Sequence, residues 1–318
     1  MTQKTYFSHC RTALKFGIKN KFSKTDEILV PEYICDSALH PFKQLKIKYI
    51  FYKIKPDLKI DWEQIKSKIN KKTKGILFVN YFGIPNEIDK ILNFAKINNL
   101  IAIEDNAHGF MGRHQGKLLG EFGDIGISSP RKHLNIHSGG VLYSEEKIDI
   151  NLDNFPLSNK KIYIDKIKFL IKKFPKIKNK LTKILQRRPL YEDQNFFREK
   201  MINDYSIDNN SLEVIKNYNY EKLKLNNMTN YYKWEKFTFD KGMKPIFGKI
   251  NDDLNPWCYP AYVNNSSEQL YWFKWAWKNN IQIFSWPTLP LELVNTENES
   301  VKIWSKMLCF STKEYNIL

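Results

Sequence analysis

No stretch of the 318 residues approaches the roughly 18 consecutive apolar positions that a membrane-spanning helix needs. The opening segment, MTQKTYFSHCRTALKFGIKN, lacks the apolar core of a secretory leader, so none is expected. Cysteine is sparse. Cys10, Cys35, Cys258 and Cys309 stand far apart with no C-x-x-C pair, which argues against a metal site and a disulfide framework. That usage fits a reducing, cytoplasmic setting. Acid is short relative to base: 34 Asp and Glu face 51 Lys and Arg, a formal charge of +17. What is plentiful is apolar and aromatic material, 42% and 14% of the chain, enough for a packed core and against wholesale disorder. The length suits one large α/β domain with a smaller second lobe.

The excess charge is not spread evenly. Residues 160–188 hold twelve Lys or Arg against one acid, Asp165, and so account for most of it. Their apolar residues fall at Ile167, Leu170, Ile171 and Phe174, then at Ile177, Leu181, Ile184 and Leu185, with Pro175 between the two sets. Three- and four-residue steps of this kind mark amphipathic helix, broken or kinked at the proline. Such a helix can lie on anionic lipid or grip a phosphate backbone. The plainer reading is preferred: a solvated charged face, packed on the main domain by its apolar stripe, with neither nucleic acid nor membrane as partner.

Strands and helices alternate up to about residue 145. A helix is expected from Arg11 to Phe22, and strands at EILVP (27–31) and KIKYIFYKI (46–54). Asp61 with Gln64 has the form of a capping box before the face of Trp62, Ile65 and Ile69. KGILFVNYFG (74–83) is the apolar run of a strand buried on both faces. Asn86 is read as the cap of the next helix, and LIAIED (100–105), DIGISS (124–129) and GGVLYS (139–144) as strands. Further on, 212–223 reads as a helix, WCYPAYV (257–263) as a strand, Ser266 with Gln269 as a helix start, and IQIFSWP (281–287) as a strand. Strands separated by helices imply βαβ units and a mostly parallel sheet, whose ligands sit at the carboxyl ends of the strands.

Those ends carry chemistry. LIAIED runs into Glu104-Asp105-Asn106-Ala107-His108, and DIGISS into Ser129-Pro130-Arg131-Lys132 followed by HLNIHSGG. An acid and a lysine at neighbouring strand ends are the pair that pyridoxal phosphate (PLP) requires. The amine forms a Schiff base and the carboxylate keeps the pyridine nitrogen protonated. The helix start Ser8-His9-Cys10-Arg11-Thr12 offers free N–H groups and a guanidinium to a phosphate. Taken singly, a strand-end Asp also serves as a cap and a lysine there as a solvated charge.

The blocks SHCRTAL, ILVPEYICDSALHPF, FVNYFGIPNEIDKILNFAKINNLIAIEDNAHG and GDIGISSPRKHLNIHSGGVLYS, in that order over residues 8–145, resemble the DegT/DnrJ/EryC1/StrS family of PLP-dependent sugar aminotransferases. The resemblance implies a three-layer PLP-transferase fold of type I, with a mostly parallel central sheet and a smaller α+β C-terminal lobe. The divisions it implies are a PLP-binding domain at 1–150, a basic helical insertion at 151–210 and a small domain at 211–318. It places Lys132 at the Schiff base, Asp105 on the pyridine nitrogen and His108 near the ring and its phenolic oxygen. Ser129, Arg11 and the Cys10 amide fall at the phosphate. Cys35 stands where the ring-stacking residue is often aromatic, with Tyr33 as its substitute.

Tyr259, Trp286 and His137 are candidates for the substrate side, and core is the plainer reading of that aromatic-rich lobe. The chain departs from the family pattern at Cys10 and Arg11, which replace Gly and Thr, and at Ser138, which replaces the Glu before Gly139-Gly140. The basic insertion stands in place of the partner-reaching G-Y-N-Y-R loop. The activity implied is transfer of an amino group, with glutamate as donor, to a nucleotide-linked keto sugar for surface polysaccharide, by a homodimer. Sugar dehydration, in which His replaces the lysine in family relatives, an amino-acid transformation and an inactive PLP-fold scaffold are the alternatives. Lys117 is the nearest competing lysine and falls on a turn marked by Gly116.

Overall fold

The computed structural model describes residues 2–145 and 188–315. Most of the basic segment, with the helix expected from Ile167 to Leu185, lies outside them.

The large lobe runs through β1 (Gln3–Phe7), α1 (Cys10–Ile18), β2 (Glu27–Pro31), α2 (Asp36–Leu45), β3 (Lys48–Tyr52), α3 (Trp62–Lys66), β4 (Thr73–Val79), α4 (Ile88–Ile97) and β5 (Ile101–Asn106). A small hairpin, β6 (Arg113–His114) and β7 (Lys117–Leu118), precedes β8 (Ile125–Ser128) and β9 (Gly140–Ser144). Seven of these strands form one sheet in the order β1-β9-β8-β5-β4-β2-β3. The run from β8 to β3 is parallel, and β9 runs against both of its neighbours. The buried runs of β2, β4 and β5 are apolar because helices cover the sheet: α1 packs on β8 and β9, and α4 on β4 and β5.

Close approach of α1 to the sheet sets one residue type. A Cβ on Gly140 would stand 2.3 Å from the His9 carbonyl oxygen and 2.5 Å from the Cys10 nitrogen, both backbone. The second glycine of the pair is thus the gap into which the start of α1 fits.

The small lobe begins at α5 (Asn209–Asn217) and α6 (Tyr220–Asp240). It continues through β10 (Lys244–Pro245), β11 (Cys258–Tyr262), α7 (Ser266–Asn279), β12 (Ile283–Phe284), α8 (Leu291–Val294), α9 (Glu299–Trp304) and β13 (Met307–Ser311). Its sheet is antiparallel, in the order β10-β11-β13-β12.

Several local expectations are corrected. Asn86 does not cap α4. Glu87 takes that place, while the Asn86 amide donates to the Leu58 carbonyl. Asn265 rather than Ser266 caps α7, accepting from the Glu268 N–H at 3.0 Å. The helix read at 212–223 is two helices, interrupted at Tyr218, whose backbone is extended. The strands β1 and β13 are not among those expected from the sequence.

The turn that carries Lys132 is pinned by its neighbour. His133 is buried, and its Nε2–H donates to the His108 carbonyl at 3.0 Å, which ties the end of β8 to the loop after β5. Burial pushes its pKa down to about 3. The unfolded chain therefore binds this proton below about pH 6.5, while the folded chain refuses it until near its own value, so His133 costs stability as the pH falls. We expect this to remove about 2 kcal/mol by pH 5 relative to pH 7.5. Urea unfolding of wild type and His133→Gln at both pH values measures it: the stability gap between them should shrink by that amount on acidification. A gap independent of pH would mean that His133 titrates alike in both states.

Candidate active site

One cavity of about 550 Å³ opens at the carboxyl ends of β5 and β8, bounded by the start of α1 and by the small lobe. Its size is in the range of small-molecule sites. Five of the eight residues put forward as cofactor contacts from sequence line it beside the central pair: Cys10, Arg11, Cys35, His108 and Ser129 accompany Asp105 and Lys132. Tyr33 does not. Its ring is buried behind the site, edge-on to Trp286 at 5.5 Å, and its hydroxyl donates to the Trp286 carbonyl. It therefore positions an aromatic wall and does not face the cavity. Trp286 lines the cavity, whereas Tyr259 packs on Tyr231 at 4.8 Å in the core and His137 is exposed away from it.

Alternation along β5 separates two adjacent acids. Glu104 turns to one face, where it accepts from the Asn80 amide and the Gly120 and Phe122 N–H groups at 2.7 Å and from Gly123 N–H at 3.2 Å. Asp105 turns to the cavity. Burial raises its carboxyl, opposed by the Ala107 N–H at 2.9 Å and by Lys132. From the next strand end Lys132 reaches over Trp257, its Nζ 3.8 Å from the ring centroid. Burial lowers the Lys132 ammonium, while Cys35, Asp105 and Cys10 act the other way. The indole face also favours the charged amine, by about 1–2 kcal/mol for a desolvated contact, roughly one pKa unit, which is less than full burial can impose.

His108 lies in an aromatic stack with Phe82 at 5.8 Å and Trp257 at 4.8 Å. Its Nδ1 accepts from the Phe82 N–H at 3.1 Å, so the proton of the neutral ring sits on Nε2. Burial, then Lys132 and His133, hold it far below the ordinary histidine value.

The far end of the cavity is basic. Helix α1 has neither an acidic residue in its first turn nor a side-chain cap, so its free N–H groups and dipole face the cavity unanswered by its own residues. Arg11 and Arg131 stand beside it. His9 adds no charge, because burial, then Arg131 and Arg11, lower it to about 4. Two guanidiniums, a helix start and the Ser129 hydroxyl make a donor set suited to a phosphate, and the buried Asp105 carboxylate suits a cationic ring nitrogen. The residues present thus fit PLP.

Sequence reasoning missed Arg131, His9, Trp257 and Glu199. Arg131 was visible as a second cation at a strand end. Trp257 and Glu199 come from distant segments, and nothing local marks them.

Residues 6–151 match the DegT/DnrJ/EryC1/StrS aminotransferase family. A GDP-4-keto-6-deoxy-D-mannose 3-dehydratase of Yersinia pseudotuberculosis is 33% identical over 138 residues, 42% of this chain and 35% of that protein. A GDP-perosamine synthase of Escherichia coli O157:H7 is 31% identical over 128 residues, 39% and 35% of the two chains. The matched part thus spans about a third of the length of these relatives. Among solved structures, the PLP form of a putative sugar aminotransferase, Spr1654 of Streptococcus pneumoniae, superposes with a TM-score of 0.68 at 14% identity. The match covers 98% of this chain and 83% of that one. Helicobacter pylori PseC, an aminotransferase of pseudoaminic acid biosynthesis, gives 0.66 at 15%, over 97% and 81%. At such identities the likeness is one of fold, and the fold is that of the PLP-dependent aminotransferases. The stretch that carries Asp105, His108, Ser129 and Lys132 is thus the part of the chain that is similar to the DegT/DnrJ/EryC1/StrS aminotransferase family.

Proposed function

We propose that this protein is a PLP-dependent aminotransferase acting on a nucleotide-linked keto sugar, with Lys132 as the residue that holds the cofactor. One observation carries the reading: Lys132 and Asp105, at neighbouring strand ends, line a single cavity, while His133 is turned away to the His108 carbonyl. Bound there, PLP would supply an electron sink for the carbon that gains or loses the amino group.

The chain's own residues supply the rest. Lys132, its ammonium weakened by burial, gives up a proton at Nζ more readily than a solvated lysine and can take it back, as a general base and acid must. Asp105 offers a fixed carboxylate to a cationic ring nitrogen. His108, with its proton on Nε2, can donate to a ring oxygen. Arg11, Arg131, Ser129 and the start of α1 would hold the phosphate. Trp257, Phe284 and Trp286 wall the cavity and keep water from the amine.

Relatives named as a sugar 3-dehydratase and as a perosamine synthase both match this chain, so dehydration is the second reading. Lysine rather than histidine at position 132 favours transfer. Incubation of the PLP-loaded protein with glutamate should release 2-oxoglutarate in one equivalent per site. A sugar product that by mass spectrometry has lost a hydroxyl and gained no nitrogen would favour dehydration. Assembly as a homodimer belongs to the same reading. A monomer mass in light scattering at micromolar concentration, with cofactor bound, would remove it.

The central test is chemical. Borohydride treatment of the PLP-loaded protein should fix the cofactor on the peptide containing Lys132. Lys132→Ala should lose turnover, and Asp105→Ala should cost about a hundredfold or more in rate, the scale of a positioned proton-holding group. Lys117 is exposed on the β6-β7 hairpin, over the Phe122 ring at 5.1 Å. Label on Lys117, or on no lysine, would overturn the assignment.

A further inference from the structure

Residues 188–208 run as a strap across the mouth of the cavity, without helix or strand up to Tyr205. Contacts fix the strap on both sides of Glu199. On one side Tyr191 stacks on Phe197 and packs on Phe273, and Arg198 donates to the Leu289 carbonyl at 3.0 Å and pairs with buried Asp36 at 3.2 Å. On the other, the Gln44 amide donates to the Ile202 carbonyl, Lys15 pairs with Asp204 at 2.6 Å, and the Ser8 N–H donates to the Tyr205 carbonyl at 3.3 Å. Between these anchors Glu199 reaches down into the basic end, and Arg11 donates to its Oε2.

We infer that the Glu199 carboxylate is an internal ligand of the anion site formed by Arg11, Arg131 and the start of α1, and that a phosphate monoester enters by displacing it. The inference deepens the reading above, since this is the end of the cavity assigned there to a phosphate. Four observations support it. The carboxylate already makes the charge-assisted bond that an incoming phosphate oxygen would make. Charge is incompletely matched: one carboxylate faces two guanidiniums, and His9 is neutral, so a phosphate of about two negative charges suits the pair better. The Glu199 side chain is 57% exposed while that of Arg11 is 13% exposed, so the carboxylate can leave toward solvent while the cation stays in place. Arg11 Nε, buried and without a partner, is a donor that Glu199 leaves unused.

A ligand that must displace an internal competitor binds with an apparent affinity reduced by the fraction of open sites. Calorimetric titration of inorganic phosphate into the cofactor-free full chain, at low salt, tests this. Glu199→Gln should bind phosphate about tenfold tighter than wild type or better, and Arg11→Gln should lose the binding. Affinity unchanged or weakened in Glu199→Gln would overturn the inference and make Glu199 a mere strut of the strap. Inorganic phosphate has no aldehyde, so the outcome does not depend on whether Lys132 captures the cofactor.

Discussion

Burying a carboxylate is costly unless its oxygens are hydrogen-bonded, and Glu104 meets that condition with four donors. Three of them are backbone N–H groups of the loop that leads into β8, and the fourth comes from Asn80 at the end of β4. The one side chain thereby joins β4, β5 and the approach to β8. Asn106 extends the tie, donating to the Gly109 and Leu119 carbonyls and to Ser128 Oγ. Because Glu104 is held on one face of β5, Asp105 is held on the other. The distance from an acid to a lysine one strand away is then set by sheet register, in which Asp105 pairs with Ile127 and Asn106 with Ser128. A reactive pair built on strand ends inherits the stiffness of the sheet, as a precise site requires.

The second wall depends on aromatic contact between the lobes. The Trp257 N–H donates to the Phe82 carbonyl at 2.9 Å, and Asn255 donates to the Phe110 carbonyl at 2.7 Å, so the start of β11 is fastened to the loops after β4 and β5. Tyr33 holds Trp286 from behind. The indoles and the His108 ring then meet at right angles or tilted, geometries that aromatic quadrupoles favour. Cys35, small and half-buried, lines the same cavity as Trp257 and Trp286. The chain thus keeps an aromatic boundary for the site while drawing it from the small lobe.

Much of this was legible. The apolar runs of β2, β4 and β5 marked their strands within a residue or two, because a short continuous apolar run between polar segments is the pattern of a strand buried on both faces. Asp105 and Lys132 could be singled out because one stands at the carboxyl end of β5 and the other in the turn after β8. The strap and the place of Trp257 were not legible, for a common reason. Glu199 and Arg11 are 188 positions apart, and Tyr33 and Trp286 are 253 apart; no local pattern encodes such a meeting. The choice of Tyr33 as a ring-stacking residue failed for a related reason. Its place after β2 was right, but its side chain follows the core, where its hydroxyl finds the Trp286 carbonyl.

The electrostatics of the cavity follow from what burial does to each group type. His9, His108 and His133 are all pushed below the ordinary histidine value, so at neutral pH none of them is a cation. Positive charge therefore rests on Lys132, Arg11 and Arg131, and negative charge on Asp105, Asp36 and Glu199. These are not pooled. Lys132 stands against Asp105, Arg11 and Arg131 against Glu199, and Asp36 against Lys43 and Arg198. Within a low-dielectric cavity, matching of this local kind is needed, because a distant counter-charge cannot offset desolvation. The strap contributes to two of the three sets, through Arg198 and Glu199. Its place across the cavity is thus fixed by the same charge matching that shapes the site beneath it, and a ligand that brings its own phosphate alters the one set in which the match is incomplete.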